Sequence, residues 1–310
     1  MSDVFSKHRE NKMHWEQGSV YDLAWSSDGS MLTAAGTKGP VRSWRLERGG
    51  HKEGEEHRGL SADIERLAWC PQAKDTNILA AAAFEKTVYL WDQRTGGVET
   101  RLQTGRANSE ISWSHSGQYL MAASREEGLE IFDVARPDAP AVMSAGVDGL
   151  VNAARWSTDD RLLFLATHAG TVEVFAWPQM EHITVIPAHA ASCSCLGIDP
   201  LGRAVATGSA DATLELWDTR DFSLVRTVAG FESPVQFTGF SMDGRFMASA
   251  SDDAEIRIHA AGSGAPVHSV ALKLLATALE WHPKNLAFAF GTAASSKTSL
   301  SGKASVTIFL

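Results

Sequence analysis

The sequence contains little cysteine and no long apolar run. It has three cysteines, Cys70, Cys193 and Cys195. The last two would point to the same face of one strand, which suits neither a disulfide framework nor a four-ligand zinc site. We therefore expect buried free thiols and a reducing compartment. No segment approaches the ~18 apolar residues of a membrane helix, and no signal peptide is recognisable, so we expect a protein that is neither secreted nor membrane-spanning.

Positive charge is also scarce. The chain has 28 Lys and Arg residues against 37 Asp and Glu residues, which gives a net charge of -9. Sequence-independent binding to a phosphate backbone normally needs a basic patch, and the short run Ser6 to Arg9 is all that the sequence offers. We therefore expect contact with RNA to be indirect or weak.

Catalytic and cofactor motifs are missing too. The sequence has no HExxH, CxxC, GxxxxGK[ST] or helix-opening GxGxxG pattern, and its 11 histidines are scattered. Asp252 and Asp253 could form an acid–base pair, but adjacent residues on a turn diverge, and a turn role is favoured. We expect no enzyme activity, no cofactor and no metal, although catalytic groups gathered around a central channel are an alternative that a sequence leaves open.

What the chain does contain is a repeat. Large apolar residues, each followed by a turn-forming tetrapeptide, recur every 41 to 44 residues. We call these residues the anchors: Trp25, Trp69, Trp113, Trp156, Ile198, Phe240 and Trp281. Strand-forming segments surround each anchor, and this period is typical of four-stranded propeller blades. The sequence therefore predicts an all-β, seven-bladed β-propeller.

The seven units account for residues 1–310 as one domain. The last strand-like segment, Val306 to Leu310, would be the third strand of blade seven, so part of residues 9–15 is predicted to supply its outer strand. The alternative is a disordered tail and a three-stranded last blade. We thus assign residues 1–13 to the tail or closing strand, and residues 291–303, rich in Ser, Lys and Gly, to a flexible insertion in blade seven.

Blade five is the most complete unit. His189, Thr207, Asp211 and Trp217 match the hydrogen-bonded tetrad of WD repeats, in which Asp contacts His, His contacts the hydroxyl, and the hydroxyl contacts the indole N–H. Hydroxyl, His and Asp could also form a hydrolase triad, but no nucleophile-elbow glycines surround the hydroxyl. We interpret the four residues as a structural tetrad.

Other blades lack this tetrad, so packing and backbone ladders are expected to hold them together. Glu16 and Lys38 in blade one, and Leu60 and Glu85 in blade two, stand where His and Asp would be expected. The outer strand of blade one should lie within residues 47–58, which carry no apolar side chain. We interpret this segment as a solvated edge strand or loop; the alternative is a charged docking surface.

Longer segments of blades five to seven resemble the WD-repeat family, and within it the propeller subunits of THO complexes. The resemblance rests on these segments: AHxxxCxC (Ala188 to Cys195), IDPLGRxxATGSADA (Ile198 to Ala212), LWD (Leu216 to Asp218), SPVQFTGFSMDGRFMASASDD (Ser233 to Asp253) and EWHPKNLAFAFG (Glu280 to Gly291).

The resemblance implies a non-catalytic scaffold in the nucleus. Its partners would be the large helical THO subunits and, indirectly, a DEAD-box RNA helicase and an RNA-binding export adaptor. Such an assembly couples transcription to packaging and nuclear export of mRNA. The alternative functions are a WD-repeat substrate receptor of a ubiquitin ligase and a subunit of a chromatin complex.

Overall fold

The computed structural model describes residues 4–5, 9–15, 18–37, 41–47, 50–57, 64–72, 78–83, 86–124, 128–145, 147, 149–293 and 304–310. These residues form 28 β-strands in seven four-stranded antiparallel sheets. None of the described residues belongs to a helix long and apolar enough to cross a membrane. Each sheet is one blade, and its strands run in order from an innermost to an outer strand.

The strands occupy the same four positions in every blade. The innermost strands are β2 (Val20–Trp25), β6 (Ile64–Trp69), β10 (Asn108–Trp113), β14 (Val151–Trp156), β18 (Cys193–Ile198), β22 (Val235–Phe240) and β26 (Ala276–Trp281). The second strands are β3 (Met31–Gly36), β7 (Ile78–Ala83), β11 (Tyr119–Ser124), β15 (Leu162–Thr167), β19 (Ala204–Ser209), β23 (Phe246–Ser251) and β27 (Phe288–Thr292). The third strands are β4 (Val41–Glu47), β8 (Thr87–Asp92), β12 (Gly128–Asp133), β16 (Val172–Ala176), β20 (Leu214–Asp218), β24 (Glu255–Ala260) and β28 (Ser305–Phe309). The outer strands are β5 (Gly50–His57), β9 (Gly97–Gln103), β13 (Met143–Ala145), β17 (Glu181–Ile186), β21 (Leu224–Val228), β25 (Pro266–Ala271) and, for blade seven, β1 (Glu10–His14).

The N-terminal strand closes the ring. β1 pairs antiparallel with β28, from Glu10 opposite Phe309 to His14 opposite Ser305. Arg9 and Leu310 extend this pairing through two further backbone hydrogen bonds. Innermost strands of consecutive blades contact one another in chain order, and β26 contacts β2. The predicted seven-bladed propeller, completed by an N-terminal strand, is confirmed.

The hydrophobic core lies between the blades. Seven clusters of buried side chains each combine residues from two neighbouring blades, including one between blades seven and one. A blade cannot bury both of its faces alone, so each blade depends on its neighbours. Phe5 adds to this core because it is buried against Phe246, Trp281 and Phe309 between blades six and seven.

Every innermost strand carries a β-bulge at the same place, five to three residues before its anchor. In blade five this bulge lies between Cys193 and Cys195. A bulge reverses side-chain alternation, and the two thiols consequently pack on opposite sides, Cys193 with blade four and Cys195 with blade six. The expectation that they share a face was wrong. All three cysteines are buried and free, and burial raises the pKa of each thiol.

The turns after the innermost strands of blades one, four and six share one construction. Ser26 Oγ donates to Asp28 at 2.6 Å and accepts from the Met31 N–H at 3.0 Å. The same arrangement is found around Ser157 and Ser241. Gly29 and Gly244 supply the positive φ that this turn requires.

The predicted insertion in blade seven falls largely outside the described residues. β27 includes Gly291 and Thr292, so the strand continues into the first part of the predicted insertion at residues 291–303. Residues 294–303 lie outside the described part of the chain.

Candidate functional site

The structure brings the four predicted tetrad residues together in blade five. His189 Nδ1 lies 3.2 Å from Asp211 Oδ2, and His189 Nε2 lies 2.8 Å from Thr207 Oγ1. The indole N–H of Trp217 donates to the same hydroxyl at 3.2 Å. The chain of contacts runs from a loop, through the second strand, to the third strand of the blade.

The partners determine where the protons lie. An ionised Asp211 can only accept, so Nδ1 of His189 carries the proton and Nε2 accepts from Thr207. The His189 side chain is fully buried. Burial lowers the pKa of His189, and Asp211 offsets only part of this effect. Neutral histidine is the form that this network requires.

Thr213 is a fifth member that sequence reasoning missed. Its hydroxyl donates to Asp211 Oδ1 at 2.5 Å and lies 3.1 Å from His189 Nδ1. The Thr207 hydroxyl is fully buried and engaged by both His189 and Trp217. A nucleophile must reach its substrate, so this geometry favours the structural interpretation over a hydrolase triad.

Blade one contains a different buried network. His57 Nε2 lies 2.7 Å from Ser43 Oγ, which lies 2.7 Å from Thr33 Oγ1. The indole N–H of Trp69, the anchor of blade two, donates to Thr33 at 3.1 Å. Three strands of blade one are thereby tied to the next blade.

This network corrects two expectations about blade one. Its outer strand β5 is not wholly solvated, because His57 at its end is buried. Blade one also does not rely on packing and ladder bonds alone. His57, on the outer strand, contacts a buried hydroxyl as the tetrad histidine of blade five does from a loop. Glu16, Lys38, Leu60 and Glu85, which signalled the missing tetrads, lie outside the described residues.

Four anchor tryptophans make the same bond to the preceding blade. Each indole N–H donates to the backbone carbonyl just before the neighbouring anchor, at 3.0 to 3.3 Å. The pairs are Trp25 with Glu280, Trp113 with Ala68, Trp156 with Ser112, and Trp281 with Gly239. The anchors are therefore hydrogen-bonded links between blades as well as core residues.

The seven innermost strands enclose a central channel of about 620 Å³. Five charged side chains line it, each from a different blade: Asp22, Arg66, Glu110, Arg155 and Glu280. Glu110 accepts from Arg66 at 2.9 Å and also from Arg155. Asp22 accepts from the Leu67 backbone N–H at 2.8 Å. Blades five and six contribute no charge to the described channel wall.

The surrounding protein changes the proton affinity of these groups. Burial raises the pKa of Asp22 to about 6, although Arg66 and the Leu67 N–H act in the opposite direction. Burial also raises the pKa of Glu280 to about 7, although the positive charge of Arg155 acts to lower it. Burial alone would lower the pKa of Arg66, but Glu110 and Asp22 outweigh it, so that pKa rises.

Sequence reasoning did not identify the channel charges. A signal was present: all five lie one or three residues before an anchor, on strands that should be buried. Gly197 and Gly239 occupy the position one residue before the anchor in blades five and six. A Cβ on Gly197 would lie 3.2 Å from Gly239 Cα, so two strands approach closely there.

The other candidate groups remain separate. Asp252 accepts from the Gln236 side chain at 3.2 Å, whereas Asp253 accepts from the Glu232 N–H at 3.0 Å. The two carboxylates therefore bind different partners and do not form an acid–base pair. Within the described part of the chain, no group of three or more His, Cys, Asp and Glu residues is placed to hold a metal ion.

Comparison with known proteins identifies the repeats. A family model described as "WD domain, G-beta repeat" matches residues 7–44, 180–218 and 222–259. THO complex subunit 3 of Arabidopsis thaliana is 33% identical over 267 residues, which cover 86% of this chain and 84% of that protein. WD repeat-containing protein AAC3 of Dictyostelium discoideum is 27% identical over 84% of this chain and 59% of that protein. Serine-threonine kinase receptor-associated protein of Gallus gallus is 22% identical over 60% of this chain and 64% of that protein.

Proposed function

The chain belongs to the family of THO complex subunit 3, within the WD-repeat propellers, and on that premise we propose that it is a non-catalytic protein-interaction scaffold in a THO complex. The observation that carries the proposal is the 33% identity over most of both chains. In this role the chain works in the nucleus and couples transcription to packaging and nuclear export of mRNA. Residues 1–310 act as one domain.

Its direct partners are the large helical THO subunits. A DEAD-box RNA helicase and an RNA-binding export adaptor associate through the assembled complex. The net charge of -9 supports binding to protein rather than to RNA. Buried polar networks between and within blades support a rigid ring that presents its surfaces without remodelling.

The outer strands of the neighbouring blades four and five favour one part of the perimeter for docking. Ile183 and Val185 on β17, and Leu224 and Val225 on β21, are exposed aliphatic side chains. Each outer strand also ends its sheet and so leaves backbone groups unpaired along one edge. Contiguous exposed apolar surface marks interaction sites, and these four side chains are the basis on which we expect such a surface here. We assign this surface, the perimeter of blades four and five, to the helical partner.

Co-expression with the large helical THO subunits tests the assignment. Val185→Asp should reduce recovery of the complex because it places a charge on the apolar surface. Leu275→Asp is the matched control, because both side chains are 42% exposed and Leu275 lies in blade seven. Equal recovery of the complex with the two variants would refute the assignment of the perimeter to the helical partner. Failure of the wild-type chain to co-purify with any THO subunit would remove the proposed function.

A further inference from the structure

The charges of the central channel do not balance. Three carboxylates face two guanidinium groups, so the five groups carry a net charge of -1 when all are ionised. Both arginines contact the same carboxylate, that of Glu110. Glu280 interacts with Arg155 only through space, and lies in the same channel as Asp22 and Glu110, which repel it.

Both arginines already donate hydrogen bonds to other channel groups, whereas the Glu280 carboxylate accepts none from the described residues. Arg66 donates to Glu110 and to the Glu65 carbonyl at 3.0 Å, and Arg155 donates to Glu110 and to the Ala154 carbonyl at 2.8 Å. The Glu280 side chain is exposed to the channel interior, while the protein around the channel limits its hydration and so raises its pKa. A cation would therefore gain a partner here, whereas an anion would compete with Glu110 for the guanidinium groups.

The two ends of the channel are lined by different side chains. Asn152, Gln236 and Ser194 line the end where the innermost strands begin. Pro200, Met242 and Pro283 line the opposite end, beside the turns that follow the anchors, and all three are exposed; Pro71, His115 and His282 lie at the same end. We call this second end the turn-side mouth. Glu280 immediately precedes the anchor Trp281, so it is the channel carboxylate nearest to that mouth along its strand.

We propose that the turn-side mouth binds a basic side chain, arginine or lysine, which a partner protein presents next to apolar residues. The cation enters the channel and pairs with Glu280, while the flanking apolar residues pack on Pro200, Met242 and Pro283. Binding brings the charge of the channel to zero when all five groups are ionised. A channel of about 620 Å³ accommodates one long side chain and several waters. The inference goes beyond the proposed function and does not depend on which complex contains the chain.

A synthetic peptide tests this site on the purified full-length chain. The probe is acetyl-Ala-Leu-Arg-Leu-Ala-amide, and its control replaces arginine with citrulline, which has the same shape but no charge. The indole N–H signals of ¹⁵N-labelled protein report on binding, because Trp25 and Trp281 line the channel and Trp25 donates to the Glu280 carbonyl. We expect saturable shifts of these two signals with the arginine peptide and none with the citrulline peptide.

Variants locate the interaction. Glu280→Gln should weaken binding about tenfold or more, the loss typical of a desolvated charge pair. Asp22→Asn should weaken it to a smaller extent. Glu181→Gln, on the exposed outer strand β17, removes the same charge far from the channel and should bind like the wild type. Unchanged indole signals from Trp44 and Trp217 verify that each variant is folded.

The proposal is overturned if the citrulline peptide binds as well as the arginine peptide, or if Glu280→Gln binds with wild-type affinity. The absence of any saturable shift of the Trp25 and Trp281 signals would overturn it too. None of these three results bears on membership of a THO complex, which the co-expression experiment decides separately.

Discussion

The indole N–H of Trp25 donates to the backbone carbonyl oxygen of Glu280 across 255 residues of sequence, at 3.3 Å. This bond joins the innermost strands of blades one and seven at the point where the ring closes. Trp113 makes the equivalent bond to Ala68 between blades three and two. Closure of the ring therefore uses the same contact as its internal joints.

The bond between blades should have a measurable free energy. Trp113→Phe keeps most of the ring packing but leaves the Ala68 carbonyl without its indole donor at 3.0 Å. We expect a loss of ~1–2 kcal/mol in the free energy of unfolding, measured by urea denaturation, beyond the cost of the smaller ring.

Trp91→Phe provides the matched control for that cost. Trp91 is as deeply buried as Trp113, but its indole nitrogen has no hydrogen-bond partner among the residues that the structure describes. Removing this N–H costs no hydrogen bond, so Trp91→Phe should be the milder change. If the two variants unfold at the same urea concentration, the inter-blade bond contributes nothing.

The tetrad of blade five should contribute to stability. His189→Ala or Asp211→Ala removes one buried partner of the network and should cost ~1–3 kcal/mol in a thermal or chemical denaturation curve. His182→Ala is the control, because that ring is exposed and its surface contact with Glu173 is worth at most ~1 kcal/mol. A melting curve that neither tetrad substitution changes would refute the structural role.

The network of blade one should behave in a similar way. Ser43→Ala removes the hydroxyl that lies between Thr33 and His57. We expect it to lower the free energy of unfolding by ~1–3 kcal/mol. Ser223→Ala deletes an exposed hydroxyl bonded to Asp221 and should change it by less than ~0.5 kcal/mol. Equal effects of the two substitutions would show that the buried chain of hydroxyl groups is dispensable.

Glu280 should make stability depend on pH. Its pKa rises from 4.5 in an unconstrained glutamate to about 7 in the channel. Between these values the folded chain holds a proton that the unfolded chain has released, so stability falls as pH increases through that window. Glu280→Gln lacks this titration. The melting temperature of Glu280→Gln minus that of the wild type should therefore increase from pH 4.5 to about 7 and remain constant at higher pH.

The histidines do not alter the difference in melting temperature between Glu280→Gln and the wild type. His189, His259 and His282 have pKa values lowered by burial, so each favours unfolding as pH falls below 6.5. Both proteins contain them, and their effect cancels in the difference. A difference in melting temperature that is constant with pH would show that the Glu280 carboxylate is not perturbed in the channel.

The sequence predicted the fold because the repeat is encoded locally. Each anchor lies at the end of one strand, next to its own turn, so a regular spacing of anchors such as Trp69 and Trp113 fixes the blade number. The closing strand followed from the same pattern, since blade seven lacked an outer strand. Residues of the blade-five tetrad could be named because a complete set lies within one unit.

Features built from several blades could not be predicted in the same way. Arg66, Glu110 and Arg155 meet only because a ring brings three innermost strands to one channel. His57 reaches Trp69 through two hydroxyl groups on different strands, and no spacing rule for a single blade includes that path. The bulge that separates Cys193 from Cys195 likewise depends on strand pairing rather than on residue type.

Affinity purification of the chain from nuclear extract, with and without RNase, followed by mass spectrometry, tests the scaffold role most directly. We expect large helical THO subunits to be recovered with equal yield under both conditions, because contacts between proteins hold them. Loss of these subunits on RNase treatment, or recovery of ubiquitin-ligase or chromatin subunits in their place, would contradict it.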